Sequence, residues 1–145
     1  KGYALFDRLD RQTDDKILRI KSFKRREIEN YLKLPEVLLR WAESLGQNNL
    51  FVNYTESMEA CINENIIPAM LKNPNDSRWH DMKVSDDMIP PIIDCFASKP
   101  EINKNMLNVL YYELVKFMKP EEVDNEIVEV LDDMYNLIFK PYDKK

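Results

Sequence analysis

The sequence predicts an α+β fold that is mainly helical, with a small parallel β unit at the N-terminus followed by five or six helices. Two short apolar runs, over residues 2–6 and 17–23, have the length of β-strands. After Glu27 the apolar residues recur with the 3.6-residue period of amphipathic helices. The chain has only 2 glycines among 145 residues and many Leu, Met, Glu and Lys residues, and this composition favours helices.

Carboxylates follow the first predicted strand and open the helix after the second one. Asp7 and Asp10 come after the first strand, and Glu27 and Glu29 begin the segment after the second. If the strands are parallel neighbours, their C-terminal ends share the sheet edge where α/β proteins place their sites. Magnesium is usually held by one or two carboxylates together with substrate phosphates, so this edge is a candidate metal site. The alternative, which spacing alone favours, is an N-cap with first-turn acids.

Three phrases near the N-terminus carry a family resemblance. They are Ala4-Leu5-Phe6-Asp7-Arg8, Lys24-Arg25-Arg26-Glu27-Ile28-Glu29-Asn30-Tyr31-Leu32 and Pro35-Glu36-Val37-Leu38. Together they resemble the TOPRIM half of the OLD-like ATPase/TOPRIM proteins, in which a strand ending in Asp-x-Asp precedes, one strand later, an arginine-rich phrase that opens a helix. The resemblance covers about the first 40 residues. Proteins of this family couple an ABC-type ATPase to a magnesium-dependent nuclease, and many act in defence against phage.

The resemblance implies a ligand set for Mg²⁺ or Mn²⁺. Asp7 matches the first acid of the Asp-x-Asp pair, and Glu29 matches the glutamate of the arginine-rich phrase. Leu9 occupies the position of the second acid, and the next carboxylate, Asp10, comes one residue later. A slip of one residue along a strand turns a side chain to the opposite face. Either the turn re-aims Asp10 into the site, or the site has lost a ligand.

Two further features suggest contacts with phosphate. Lys104 resembles the lysine of a Gly-Lys phrase that the family places before a helix and would be catalytic, although Asn103 stands where glycine is usual. Its alternative is a solvated lysine at a helix start. Residues 1–33 carry 10 Lys/Arg against 6 Asp/Glu, and the remainder 11 against 20, for a net charge of −5. Lys24, Arg25 and Arg26 in this basic head are therefore candidate contacts to the DNA backbone, or else a solvated strand flank.

The family's ATPase and first glutamate motif would lie upstream of Lys1, and the chain contains no Gly-x-x-x-x-Gly-Lys-Ser/Thr phosphate loop. We therefore expect a fragment of an ATP-dependent or ATP-regulated DNA endonuclease that is inactive alone. Its expected partners are DNA, through the parent protein, the upstream ATPase domain and a second copy in a homodimer. The alternative is a non-catalytic helical protein-interaction module with a degenerate TOPRIM remnant, which Leu9 favours.

Residues 34–145 are predicted to form a helical extension that packs as one unit with the TOPRIM-like residues 1–33. The predicted helices are residues 35–46, 55–71 with a kink at Pro68, 85–96, 101–118 and 121–139.

The two cysteines and the apolar runs suggest a cellular location. Cys61 and Cys95 lack metal-ligand spacing and are expected to be reduced core residues, which predicts a cytoplasmic protein. No apolar run approaches the roughly 18 residues of a membrane span, so no membrane partner is expected.

Overall fold

The computed structural model describes residues 2–9, 17–46, 53–103, 107 and 111–139. Within these ranges the chain is mainly helical and has a small two-stranded sheet, as the sequence predicts. Asp10 and Lys104, two of the predicted site residues, lie outside the described residues. No helix in the described part of the chain is long and apolar enough to cross a membrane.

The sheet pairs strand β1, Gly2–Phe6, with strand β2, Leu18–Ser22. The two strands are parallel, and the register aligns Gly2 with Leu18 and Phe6 with Ser22. Both strands therefore end side by side. The backbone N–H of Phe23 donates to the carbonyl of Phe6 at 3.1 Å, which extends the pairing one residue beyond β2.

Helices follow the sheet throughout the described residues. The α-helices are α1 (Glu36–Gly46), α2 (Tyr54–Asn65), α3 (Pro68–Lys72), α4 (Arg78–Asp81), α5 (Ile89–Ser98) and α6 (Asn125–Ile138). Shorter elements are the 3₁₀ helices Ile28–Tyr31, Tyr111–Phe117 and Pro120–Glu122, and a π-helical turn at Val84–Met88. Helix α6 begins where the side chain of Asp124 accepts the backbone N–H of Glu126.

Four predicted helices differ from the observed ones. The helix predicted over 85–96 is a π-helical turn at Val84–Met88 followed by α5 from Ile89. The segment predicted as one kinked helix over residues 55–71 is two helices, because Pro68 cannot donate a backbone hydrogen bond and instead starts α3 at its first turn. The helix predicted to open at the arginine-rich phrase after the second strand is a single 3₁₀ turn, Ile28–Tyr31. Of the helix predicted over 101–118, residues 111–117 are 3₁₀-helical and residues 104–106 and 108–110 lie outside the described residues.

The main core lies among α1, α2 and α5. Leu38, Met58 and Phe96, one from each helix, are completely buried. The Phe96 ring lies 5.8 Å from the Trp41 ring and 6.3 Å from the Tyr54 ring, measured between centroids. Such tilted and edge-to-face aromatic contacts add to the free energy gained by burial.

A disulfide bond joins α2 to α5. The sulfur atoms of Cys61 and Cys95 are bonded, with the Cα atoms 5.7 Å apart, so the prediction of reduced cysteines is wrong. The bond links residues 34 positions apart, and only the packing of the two helices brings them together. Disulfides are characteristic of oxidising compartments. The expected cytoplasmic location depended on reduced cysteines and loses that support.

A second, smaller core joins the sheet to α6. Phe23, Tyr31 and Val130 are buried together, and the partly buried Leu5, Ile127 and Met134 pack against them. Polar contacts also join α6 to the sheet. Asp133 accepts a hydrogen bond from the hydroxyl of Tyr3 and forms an ion pair with Arg19. Because Tyr3 and Arg19 are register partners, one carboxylate of α6 binds both strands.

Candidate functional site

Asp7 lies at the shared end of the two parallel strands. Its exposed side chain follows β1 directly, and its Oδ1 atom accepts the backbone N–H of Ile28 at 3.2 Å. This hydrogen bond satisfies a donor at the start of the 3₁₀ helix Ile28–Tyr31, as a capping carboxylate does. It also places Asp7 against the residue that precedes Glu29. The parallel pairing and the edge position of Asp7 are therefore as the sequence predicts.

Glu29 is half-buried in the first turn of the same 3₁₀ helix. Its backbone carbonyl accepts the N–H of Leu32, and the residue lines a neighbouring groove. No three His, Cys, Asp or Glu side chains cluster as metal ligands would within the described ranges. The described residues thus bring Asp7 near the turn that carries Glu29, and the third predicted ligand, Asp10, falls outside them.

The three cations Lys24, Arg25 and Arg26 differ in exposure and in pairing. Lys24 and Arg26 are exposed, and the Arg26 guanidinium donates to the carbonyl of Asp81 at 3.1 Å. Arg25 instead forms a 2.6 Å ion pair with Asp124, and its guanidinium carbon lies 4.6 Å from the centre of the Tyr31 ring. The side chain of Arg25 therefore stabilises the contact between the 24–32 segment and the start of α6, whereas Lys24 and Arg26 face solvent.

Asn30 is the most deeply buried polar side chain of the segment, with 3% of its surface exposed. Its Oδ1 atom accepts the backbone N–H of Glu27 at 3.0 Å, and its Nδ2 atom donates to the carbonyls of Trp79 at 2.8 Å and Met82 at 2.9 Å. Both hydrogens of the amide nitrogen and the amide oxygen are therefore hydrogen-bonded inside the protein. The sequence analysis did not predict that Asn30 would be a buried structural residue. The three-residue spacing of Glu27 and Asn30 is that of a capping box at a helix start, and this spacing could have indicated it.

Glu27 and Tyr31 complete the buried polar network. The Glu27 carboxylate, in a residue that is 7% exposed, accepts the backbone N–H of Ser85 at 3.1 Å and its hydroxyl at 2.9 Å. The Tyr31 hydroxyl donates to Glu126 and accepts the N–H of Arg25 at 3.3 Å. Burial, and then the hydrogen bond to Glu126, raise the pKa of Tyr31 well above its ordinary value. The predicted site segment thus also anchors the fold.

An apolar groove of about 310 Å³ lies beside this segment, between the 3₁₀ helices Ile28–Tyr31 and Tyr111–Phe117 and the start of α6. Two charged residues, Glu29 and Asp124, line the groove. The other lining residues are Ile28, Tyr31, Leu32, Tyr112, Val115, Met118, Val123 and Ile127. Sequence reasoning did not find this groove, because its walls come from three separate parts of the chain.

Comparisons of the chain with protein-family models, curated proteins and solved structures find no match. The resemblance to the OLD-like ATPase/TOPRIM proteins therefore depends on the N-terminal phrases alone.

Proposed function

We propose that this chain is the distal part of a metal-dependent DNA nuclease from an ATPase/TOPRIM protein, acting in phage defence or DNA processing. The observation that supports the proposal is the hydrogen bond from Ile28 to Asp7. It joins the end of the parallel sheet to the turn that carries Glu29, the second proposed ligand.

The proposed site would hold Mg²⁺ or Mn²⁺ through Asp7, Glu29 and Asp10. The Oδ1 atom of Asp7 is engaged by Ile28, whereas its Oδ2 atom makes no hydrogen bond to the described residues, so one oxygen remains for a metal. Bound metal in such sites supplies Lewis-acid stabilisation and an activated water for phosphodiester hydrolysis. Lys104 would stabilise charge on the phosphate.

The proposed DNA contact consists of exposed cations beside the acidic edge. Lys24 and Arg26 would neutralise backbone phosphates, because they remain exposed while Arg25 is paired with Asp124. DNA and the ATPase domain are partners through the parent protein, and a homodimer is the proposed assembly. This function places the protein in the cytoplasm, and the Cys61–Cys95 disulfide is the observation against that location.

Metal binding tests the ligand set directly. We expect Mn²⁺ to bind the chain weakly, as measured by water-proton relaxation. Asp7→Ala should abolish binding, and Asp7→Asn should do the same while keeping an oxygen that can accept the Ile28 N–H. The matched control is Asp94→Asn, since Asp94 is an exposed carboxylate on α5. Equal Mn²⁺ binding by all four proteins would remove Asp7 from the site.

Plasmid cleavage tests the activity. The resemblance gives this chain only part of the family's acidic set, so we expect no cleavage by residues 1–145 alone. The full-length protein should nick or cleave DNA in a metal-dependent manner, and Asp7→Ala or Glu29→Ala should abolish this. Strong cleavage by the isolated chain that a chelator stops would overturn the assignment as a fragment.

A second candidate function is a non-catalytic helical protein-interaction module. Arg25, Asn30 and Tyr31 of the arginine-rich phrase make internal contacts, which a degenerate TOPRIM remnant would retain for folding. The apolar groove beside them is the specific observation that favours this function. A full-length protein that binds its partners but never cleaves DNA would support it over the nuclease.

A further inference from the structure

Helix α6 has two apolar faces, and the described residues cover only one of them. Ile127, Val130 and Met134 pack inward against the sheet. The second face is an exposed stripe at three- and four-residue spacing, the pattern of one helix side. It consists of Val128 (45% exposed), Leu131 (58%), Tyr135 (53%), Ile138 (38%) and the adjoining Phe139 (55%).

The exposed stripe is continuous with the apolar groove. Asp124 and Ile127 line the groove, and Val128 and Leu131 follow them by four residues each, which is one helical turn. The opposite wall of the groove carries Tyr112, which is 69% exposed, and other apolar residues. We call the groove and the stripe together the α6 surface. Contiguous exposed apolar surfaces of this kind are typical of protein-interaction sites.

Negative charge borders the α6 surface. Helix α6 contains four carboxylates, Glu126, Glu129, Asp132 and Asp133, and no Lys or Arg. Glu126 and Asp133 bind Tyr31 and Arg19 internally. Glu129 and Asp132 are exposed and form no ion pair with any described residue. Asp132 lies one turn after Val128, so its charge adjoins the stripe.

We propose that the α6 surface binds an amphipathic helix of a partner protein whose apolar stripe is flanked by Lys or Arg. Apolar anchors at i, i+3, i+4 and i+7 of such a helix match a groove that continues into a helical stripe. The flanking cations would pair with Glu129 and Asp132. A second copy of this chain is disfavoured at this surface, because it would bring two acidic α6 helices together. The inference goes beyond the nuclease proposal and does not depend on it.

Peptide binding tests the proposal. The probes are two fluorescein-labelled amphipathic peptides of about five helical turns. Both have leucines at the same stripe positions, and they differ only in carrying lysines or glutamates at the flanks. We expect fluorescence anisotropy to show that the lysine peptide binds the 145-residue chain at least about tenfold more tightly than the glutamate peptide. Added salt should reduce this difference, because exposed charges are screened.

Matched variants locate the binding surface. Leu131→Ser should weaken the lysine peptide about tenfold, as loss of a central apolar anchor does. Asp132→Lys should weaken it by roughly threefold and tighten the glutamate peptide, as reversal of a rim charge does. Ile67→Ser and Glu59→Lys are the controls, since Ile67 is 49% exposed and Glu59 is an exposed acid on α2. Both controls should bind like the wild type, and circular dichroism should show that all four variants are folded.

Three results would overturn the proposal. Equal binding of the two peptides would refute the requirement for cations, and binding of neither would refute the surface. A concentration-dependent dimer in sedimentation experiments that Leu131→Ser dissociates would show that a second copy occupies the α6 surface. None of these results bears on plasmid cleavage, so the nuclease proposal is tested separately.

Discussion

Replacing Asn30 with alanine should destabilise the protein more than any change to the exposed residues around it. The Asn30 amide makes three hydrogen bonds of 2.8 to 3.0 Å in a site where it is 3% exposed. Its partners are the N–H of Glu27 and the carbonyls of Trp79 and Met82, so it joins the 24–32 segment to the chain around α4.

The expected loss follows from the number and burial of these hydrogen bonds. A net contribution of about 1 kcal/mol each gives about 3 kcal/mol, and leaving a buried donor or acceptor without a partner adds to the cost. Small domains have free energies of unfolding of about 5–15 kcal/mol, so Asn30→Ala should remove a large fraction of the total. Removal of an amide also leaves a small cavity, which acts in the same direction.

Urea unfolding followed by far-ultraviolet circular dichroism measures this loss, with the disulfide kept intact in every sample. The matched control is Asn136→Ala, the same substitution at an exposed position of α6, for which we expect a change within about 0.5 kcal/mol. If Asn30→Ala and Asn136→Ala unfolded at the same urea concentration, the buried amide network would not stabilise the fold as described.

Two further predictions concern stability. Tyr31→Phe should cost about 1–2 kcal/mol by removing the hydrogen bonds to Glu126 and Arg25. Burial, first, and the hydrogen bond to Glu126 raise the pKa of Tyr31 in the folded protein. The stability that Tyr31 contributes is therefore present below the unfolded pKa of about 10 and is lost as the pH rises above that value. Above about pH 10 the free energy of unfolding of the wild type should fall more steeply than that of Tyr31→Phe, and parallel curves would contradict this. Reduction of the Cys61–Cys95 bond should lower the free energy of unfolding by about 3–4 kcal/mol, because the bond closes a loop with a sequence separation of 34. A Cys61→Ala/Cys95→Ala variant should be insensitive to reductant, and detection of two free thiols in the unreduced wild type would refute the disulfide.

The sequence by itself determined the class of fold and the place of Asp7 after the first strand. Two short apolar runs predicted two strands, and the family resemblance implied the parallel pairing that the structure shows. Helical periodicity located α1 and α6, since the apolar period reflects the face that a helix buries. The position of Asp7 after β1 followed from the same local information. The start of α5 did not follow in this way, because the sequence predicts a helix from residue 85, whereas a π-helical turn at Val84–Met88 precedes α5, which begins at Ile89.

Only the tertiary structure decided which side chains are used inside the protein. Arg25 reads as one of three equivalent cations in sequence, and its pairing with Asp124, 99 residues away, distinguishes it from Lys24 and Arg26. Likewise, Cys61 and Cys95 become partners through the packing of α2 on α5. Contacts between distant parts of a chain depend on how its elements pack, and local periodicity does not contain that information.

The two apolar faces of α6 show the same division. In the sequence, Val130 and Leu131 are adjacent apolar residues of one amphipathic helix, and both suit a core. In the structure, the sheet covers Val130, which is 5% exposed, and leaves Leu131 58% exposed. Amphipathicity fixes how wide the apolar arc of a helix is, but the width of the neighbouring sheet decides how much of that arc is buried. In the described part of the chain, the sheet of β1 and β2 covers one side of α6, and the remaining arc becomes the surface where we expect a partner helix to bind.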